Sequence, residues 1–128
     1  MNRHITLALA MLAGAAIGAI AVQGLHAQAK PPVYSISEID LTNADGYLKE
    51  YAPRAQALIR ENGGRILVAG GKTTVFDGDP PKTRVTMQVW DGIEKYQAYR
   101  SSAAYREIRV IGDKYAKFRT FVVEGTSN

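Results

Sequence analysis

Histidine stands only at His4 and His26, and cysteine is absent from all 128 residues. Both histidines precede residue 30, so a chain shortened past them keeps only carboxylate, hydroxyl, phenol, amine, amide and guanidinium chemistry. Ser-His and Cys-His nucleophilic catalysis is then excluded, along with haem held by histidine, disulfides and Cys-ligated zinc or iron–sulfur clusters. We expect no cofactor and no metal. Glu38 and Arg84 are the strongest remaining pair, an acid/base and an anion clamp on two central strands, with Tyr34, Gln88 and Trp90 shaping a small-molecule pocket at the sheet face. The same residues support a plainer reading, a Glu38–Arg84 ion pair beside an aromatic that fills a dimer core. Whether the chain is an enzyme stays open.

Two other patterns promise chemistry on inspection. Gly71-Lys72-Thr73 has the tail of a phosphate-binding loop, but Ile66 stands where the full pattern needs glycine, and strand-like residues follow in place of a helix. Tyr47, Tyr51, Tyr96, Tyr99 and Tyr105 recur at helical spacing, which reads as packing in preference to a cofactor box.

The elements that must position these residues follow from periodicity. Val33–Asp40 alternates as a strand, and Thr42 to Asp45 supply a helix-start signal before the apolar stripe Leu48, Tyr51, Ala52, Ala55, Leu58, Ile59. Pro53 lies inside that stripe and predicts a bend or a fresh start there. Asn62-Gly63-Gly64 ends the helix. Arg65–Ala69 and Thr73–Phe76 read as strand interrupted at Gly70-Gly71, a bulge or bend, before a turn over Asp77–Pro81. Thr83–Trp90 is the next strand, with Val85, Met87 and Val89 on one face and Arg84, Thr86, Gln88 and Trp90 on the other. Ile93–Arg100 is helical, Ser102 caps a further helical piece carrying Tyr105, Ile108 and Ile111, and Phe118–Glu124 is the last strand. The order β-α-β-β-α-β predicts an α+β, ferredoxin-like fold: a four-stranded antiparallel sheet with helices on one face. Neither face of the first strand is purely polar, so the uncovered face is expected to meet a second copy of the chain.

The N-terminus reads as a targeting segment. Arg3 precedes an apolar run from Ile5 to Val22, and Ala27-Gln28-Ala29 is a small-x-small triplet. Residues 1–29 are expected to be a signal peptide cut after Ala29 or Ala27, with 30–128 the exported domain, periplasmic or secreted. Alternatively, residues 5–22, which include Gly14 and Gly18 at membrane-helix spacing, stay as an anchor, the one case in which a membrane is a partner. The net charge of +4 is spread among acids and carries no nucleic-acid signal. RNA-recognition domains share the element order but carry paired aromatics on a central strand, which Arg84–Trp90 lacks.

In order along the chain, Tyr34, Glu38-Ile39-Asp40, the segment from Glu50 to Ala57, Gly63-Gly64-Arg65, Gly70-Gly71, Arg84-Val85, Trp90, Ser102 with Tyr105, and Val122-Val123-Glu124-Gly125 resemble the DUF1330 family. These small bacterial proteins belong to the dimeric α/β-barrel group, and the resemblance spans about Val33 to Gly125. It implies a ferredoxin-like fold whose two subunits pack their sheets into a barrel, and it brings no established biochemical role. The chain departs from the family pattern at Ala69 and Gly112, where arginine is usual, and at Val89, where glutamate is common. Two functions remain: an exported homodimer with a small-molecule pocket, or a structural or interaction module with neither ligand nor catalysis.

Overall fold

A computed structural model describes residues 30–127; the targeting segment expected at residues 1–29 lies outside them. Among the described residues no helix is long and apolar enough to cross a membrane. The elements are β1 (Val33–Leu41), a short α1 (Ala44–Gly46), a π-helical turn (Tyr47–Tyr51), α2 (Ala52–Glu61), β2 (Arg65–Ala69), β3 (Arg84–Trp90), α3 (Ile93–Ser101), α4 (Ala103–Tyr115) and β4 (Ala116–Glu124). The four strands form one antiparallel sheet in the order β2-β3-β1-β4. This is the α+β, ferredoxin-like arrangement that the element order predicts.

Local chemistry sets the boundaries. Asn43 caps α1, its Oδ1 accepting from the Gly46 N–H at 3.0 Å. Ser102 caps α4, its Oγ accepting from the Tyr105 N–H at 3.1 Å. Pro53 has no N–H to give the Lys49 carbonyl, and its ring crowds the preceding turn. The helix answers by widening, and the Ala52 N–H reaches back five residues to the Tyr47 carbonyl. At the other end Gly63, with φ of +95°, takes the left-handed conformation, and the Gly64 N–H reaches the Ile59 carbonyl at 2.9 Å.

Two expectations need correction and one takes its second form. Thr73–Phe76 forms no strand, because β2 ends at Ala69 opposite Thr86 and a continuation would run past the start of β3 with nothing to pair against. The strand's bulge falls between Ile66 and Val68, and at Gly70-Gly71 the second of the two expected forms, a bend at Gly70 with φ of +77°, is found. The last strand begins at Ala116, two residues early, directly where α4 ends.

The core falls into two clusters of buried residues, with Ile108 packed against both. One cluster gathers Val33, Ile59, Trp90, Tyr96, Tyr99 and Tyr105 at one end of the sheet. The other gathers Ile39, Tyr47, Tyr51, Ala52, Ala55 and Ala116 at the opposite end. Between them the sheet presents polar side chains to the helices, and there the candidate site lies.

Candidate functional site

Strand register builds the floor. On the helix-covered face, Ser35 of β1 stands opposite Gln88 and Val122, Ser37 opposite Thr86 and Thr120, and Ile39 opposite Arg84 and Phe118. The two middle rows are therefore polar at Ser35, Gln88, Ser37, Thr86 and Thr120, with Val122 and Ile66 at the edges of one, and are set between the row of Val33 and Trp90 and that of Ile39 and Phe118. Ser37 and Thr120 share a hydrogen bond of 2.8 Å. Trp90 Nε1 donates to Gln88 Oε1 at 2.9 Å, which satisfies an indole that is 99% buried and orients the amide.

The helices supply aromatic and cationic walls. The widened turn brings Tyr47 and Tyr51 to the sheet with ring centroids 5.1 Å apart. From α3, Tyr96 Oη accepts from Ser35 Oγ at 3.0 Å and from Arg100 Nη1 at 2.9 Å. The Arg100 guanidinium lies 4.7 Å from the Tyr105 ring centroid. Arg109 donates to Tyr105 Oη at 2.9 Å and to Asp113 at 2.8 Å, with its guanidinium 4.1 Å from the Phe118 ring centroid. Cations and rings thus alternate from Phe118 to Tyr96, each guanidinium facing a π-surface that favours its charge.

These walls and floor enclose a cavity of about 60 Å³, room for a few water-sized groups. Among the described residues its lining carries three arginines, five tyrosines, hydroxyls and the Gln56 and Gln88 amides beside several aliphatic side chains and Phe118, and no Asp, Glu or Lys. Burial pushes the Tyr47 phenol above its ordinary pKa, against the pull of the adjacent Arg84, which acts through its charge and a hydrogen bond. Tyr51 and Tyr99 are raised further by burial and then by neighbouring phenols. Burial works against the charge of Arg109, but its bonds to Asp113 and Tyr105 outweigh that and hold its pKa above the usual value. At neutral pH the cavity is a field of hydrogen-bond donors with positive charge.

Of the five residues singled out from sequence, the fold brings three together. Arg84 and Gln88 line the cavity, and Trp90 buttresses Gln88 from the core. Tyr34 and Glu38 lie on the opposite, uncovered face. Tyr34 packs against Gly125. Glu38 stands opposite Val85, pairs with Arg119 and accepts from the Lys82 N–H at 3.2 Å. The proposed Glu38–Arg84 pair, catalytic or structural, does not form, because alternation places the two side chains on different faces. The lining residues missed from sequence are Ser35, Ser37 and Thr120, whose signal is hydroxyls at strand positions flanked by apolar inward residues, and Arg100 and Arg109 of the helices. The tyrosines read as packing do pack, and all five also line the cavity.

Arg84 lies between a ring and a glycine. Its guanidinium lies 5.3 Å from the Tyr47 ring centroid. Gly70, with φ of +77°, presses its backbone against the other groups of that side chain, and a β-carbon there would fall 2.6 Å from the guanidinium carbon. The glycine pair noticed in the sequence is thus required at its first member, since any other residue would displace Arg84.

The sequence pattern described as "Domain of unknown function (DUF1330)" matches residues 32–126. The chain belongs to the DUF1330 family. No curated protein matches it. Among solved structures this DUF1330 protein is similar to a protein of unknown function from Rhodopseudomonas palustris, with 14% identity, a TM-score of 0.59, and coverage of 76% of this chain and 84% of that one. It is similar to SnoaB, a cofactor-independent oxygenase from Streptomyces nogalater, at 11% identity and TM-score 0.57, over 75% and 94% of the two chains. A putative antibiotic biosynthesis monooxygenase from Nitrosomonas europaea matches at 17% identity and TM-score 0.51, over 75% and 91%. At these identities the likeness is one of fold. The DUF1330 departures fall in three different places. Ala69 borders the cavity, so a small side chain there leaves space beside Arg84. Gly112 lets α4 approach Tyr51, whose ring a β-carbon would meet at 2.7 Å. Val89 faces away from the site, beside Tyr34 on the uncovered face.

Proposed function

We propose that this DUF1330 protein is an exported homodimer that binds a small molecule in the cavity between its sheet and its helices. The observation that carries the reading is the division of the core. A domain of this size ordinarily has one contiguous apolar core, and polar groups inside it cost stability unless they are paired. Here hydroxyl and amide side chains, with Ile66 and Val122 at the ends of one row, lie between the two clusters and around a cavity that the packing leaves open. Converging polar groups in an aromatic-walled cavity are the mark of a ligand site. The pocket expected at the sheet face thus moves to the covered side of the sheet.

Dimerisation is supported by the uncovered face. Ile36, Met87, Phe121 and Val123 cluster there, with Phe121 and Val123 43% and 49% exposed. Phe76, 89% exposed, and Val75 lie over its edge, where they line a groove with Ile36 and Val85. An apolar patch at the centre of an open sheet is best covered by a second copy. Export rests on the apolar run and alanine triplet of residues 5–29. A purely structural dimer is the second reading, and the uncovered face alone would be enough for it.

Native mass spectrometry of the processed protein separates the two. A dimer carrying a reproducible extra mass, lost in Gln88→Leu, is expected. An empty dimer whose melting temperature no metabolite raises would leave only the structural reading, and a monomer at micromolar concentration would count against both.

A further inference from the structure

We infer that the ligand of this cavity is a small planar carboxylate anchored by Arg84. The inference rests on the reading of the cavity as a ligand site and goes beyond it by naming the chemistry. Three guanidiniums line the cavity and no acidic side chain does. Arg109 is answered by Asp113, but no ion pair joins Arg84 or Arg100 to an acid among the described residues. Arg100 donates to Tyr96 and lies over two tyrosine rings. Arg84 is different. Its Nε is the one buried side-chain nitrogen or oxygen among the described residues that has no hydrogen-bond partner. A buried charged donor left unmet is costly, and the natural complement of a guanidinium edge is a carboxylate, which accepts two parallel N–H bonds in its own plane.

Size and shape narrow the class. About 60 Å³ holds roughly four to six heavy atoms by the space a water needs. Tyrosine faces on the helix side and the sheet floor below favour a flat group. Thr86 and Gln88, on the same face of β3 as Arg84, offer a hydroxyl and an amide to whatever the carboxylate carries. Acetate and pyruvate have the right size, charge and planarity. Acetamide has the shape of acetate without its charge.

The test is an amide chemical-shift titration of the processed protein at neutral pH with acetate, pyruvate, acetamide and inorganic phosphate. Acetate and pyruvate are expected to move the amides of Ala69, Gly70 and residues 84–88 saturably, with acetamide at least tenfold weaker. Arg84→Gln is expected to weaken the carboxylates at least tenfold, while Lys49→Gln, which removes the same charge from an exposed helix position, leaves them unchanged. Gly70→Ala keeps the charge but displaces the guanidinium, and it is expected to weaken carboxylates as well. It supplies the answer should Arg84→Gln fail to give a folded spectrum. Acetamide binding as tightly as acetate would overturn the anionic assignment and leave the cavity as a site for neutral ligands. Phosphate binding as tightly as the carboxylates would overturn the carboxylate assignment. Shifts confined to exposed lysines, or carboxylate affinity untouched in Gly70→Ala and Arg84→Gln together, would overturn the role of Arg84. None of these outcomes touches the extra mass sought by mass spectrometry, so the two readings fail separately.

Discussion

Ser35, Ser37, Thr86, Gln88 and Thr120 lie beneath the helices, while Ile36, Met87, Phe121 and Val123, one residue away along the same strands, lie on the face that no helix covers. A half-covered antiparallel sheet ordinarily turns its apolar side to the helices and its polar side outward. Over its middle rows this sheet does the reverse. Sliding each strand by one residue would exchange the two sets, so something must hold the observed register against that alternative. The ends do it. Val33 and Trp90 at one end, and Ile39 and Phe118 at the other, face the helices in the same register that turns the hydroxyls inward. The covered face is thus anchored at its ends and largely polar between them, and the uncovered face keeps an apolar patch.

The largest test of that division removes an anchor. Trp90→Ala is expected to cost about 3–5 kcal/mol, measured by guanidinium unfolding, with the melting temperature falling by roughly 4–8 °C for each kcal/mol. Val123→Ala on the uncovered face is expected to cost the isolated subunit less than about 1 kcal/mol. Equal costs at the two positions would mean that the ends of the covered face do not hold the register.

Alkaline pH separates the faces by another route. Burial and neighbouring phenols push the pKa values of Tyr51 and Tyr99 above their ordinary value. An unfolded tyrosine releases its proton near pH 10. Above that pH the unfolded chain has lost protons that the folded chain still holds, so each rise in pH favours unfolding. The contribution of these groups is full below about pH 10 and is lost above it, by roughly 1.4 kcal/mol per pH unit for each tyrosine. Chemical denaturation at pH 9, 10 and 11 should show the slope, and Tyr99→Phe should remove one tyrosine's share. A slope unchanged in that variant would place the alkaline loss elsewhere.

On the uncovered face the expected effect is on association. Phe121→Asp should raise the dimer dissociation constant at least tenfold, about 1.4 kcal/mol, as read by sedimentation velocity, with little change in the unfolding of the subunit itself. A dimer indifferent to Phe121→Asp and Val123→Asp would have to form through some other surface.

Much of this contrast was legible in the sequence, and its gaps have physical causes. Alternation in Arg84–Trp90 separated Arg84, Thr86, Gln88 and Trp90 from Val85, Met87 and Val89 correctly, and Asn43, Ser102 and Gly63 marked helix ends that the backbone confirms. Alternation could not say which set lay inside. That depends on which distant residues gather around Val33 and Trp90, such as Ile59 and Tyr105, 26 and 72 positions from Val33 in the chain. The pairing of Glu38 with Arg84 failed for the same kind of reason. A single residue of cross-strand offset sets Glu38 opposite Val85 and beside Arg119, and no local feature fixes that offset. Thr73–Phe76 has the composition of a strand, but a strand also needs a neighbour, and it lies beyond the first residue of β3. Pro53 announced a disturbance in the helix without its form, since a bend and a widened turn relieve the same missing hydrogen bond.

The smallest expected effect bears on why the covered face is polar at all. Ser37 and Thr120 satisfy each other at 2.8 Å in the middle of the floor. Ser37→Ala alone leaves Thr120 Oγ1 without its partner and is expected to cost about 1 kcal/mol. Adding Thr120→Val removes the second hydroxyl and supplies a methyl group in its place, so the double variant should return to within about 0.5 kcal/mol of the parent. The two variants and Thr120→Val alone form a thermodynamic cycle readable by urea unfolding. If the double variant is as stable as the parent, the hydroxyl pair is not what keeps the sheet folded. Its place in the floor then has to be explained by what the cavity holds, and loss of carboxylate binding in that same stable protein would complete the case. If the double variant is instead severely destabilised, the polar rows are structural, and the division of the core is a solution to packing in its own right.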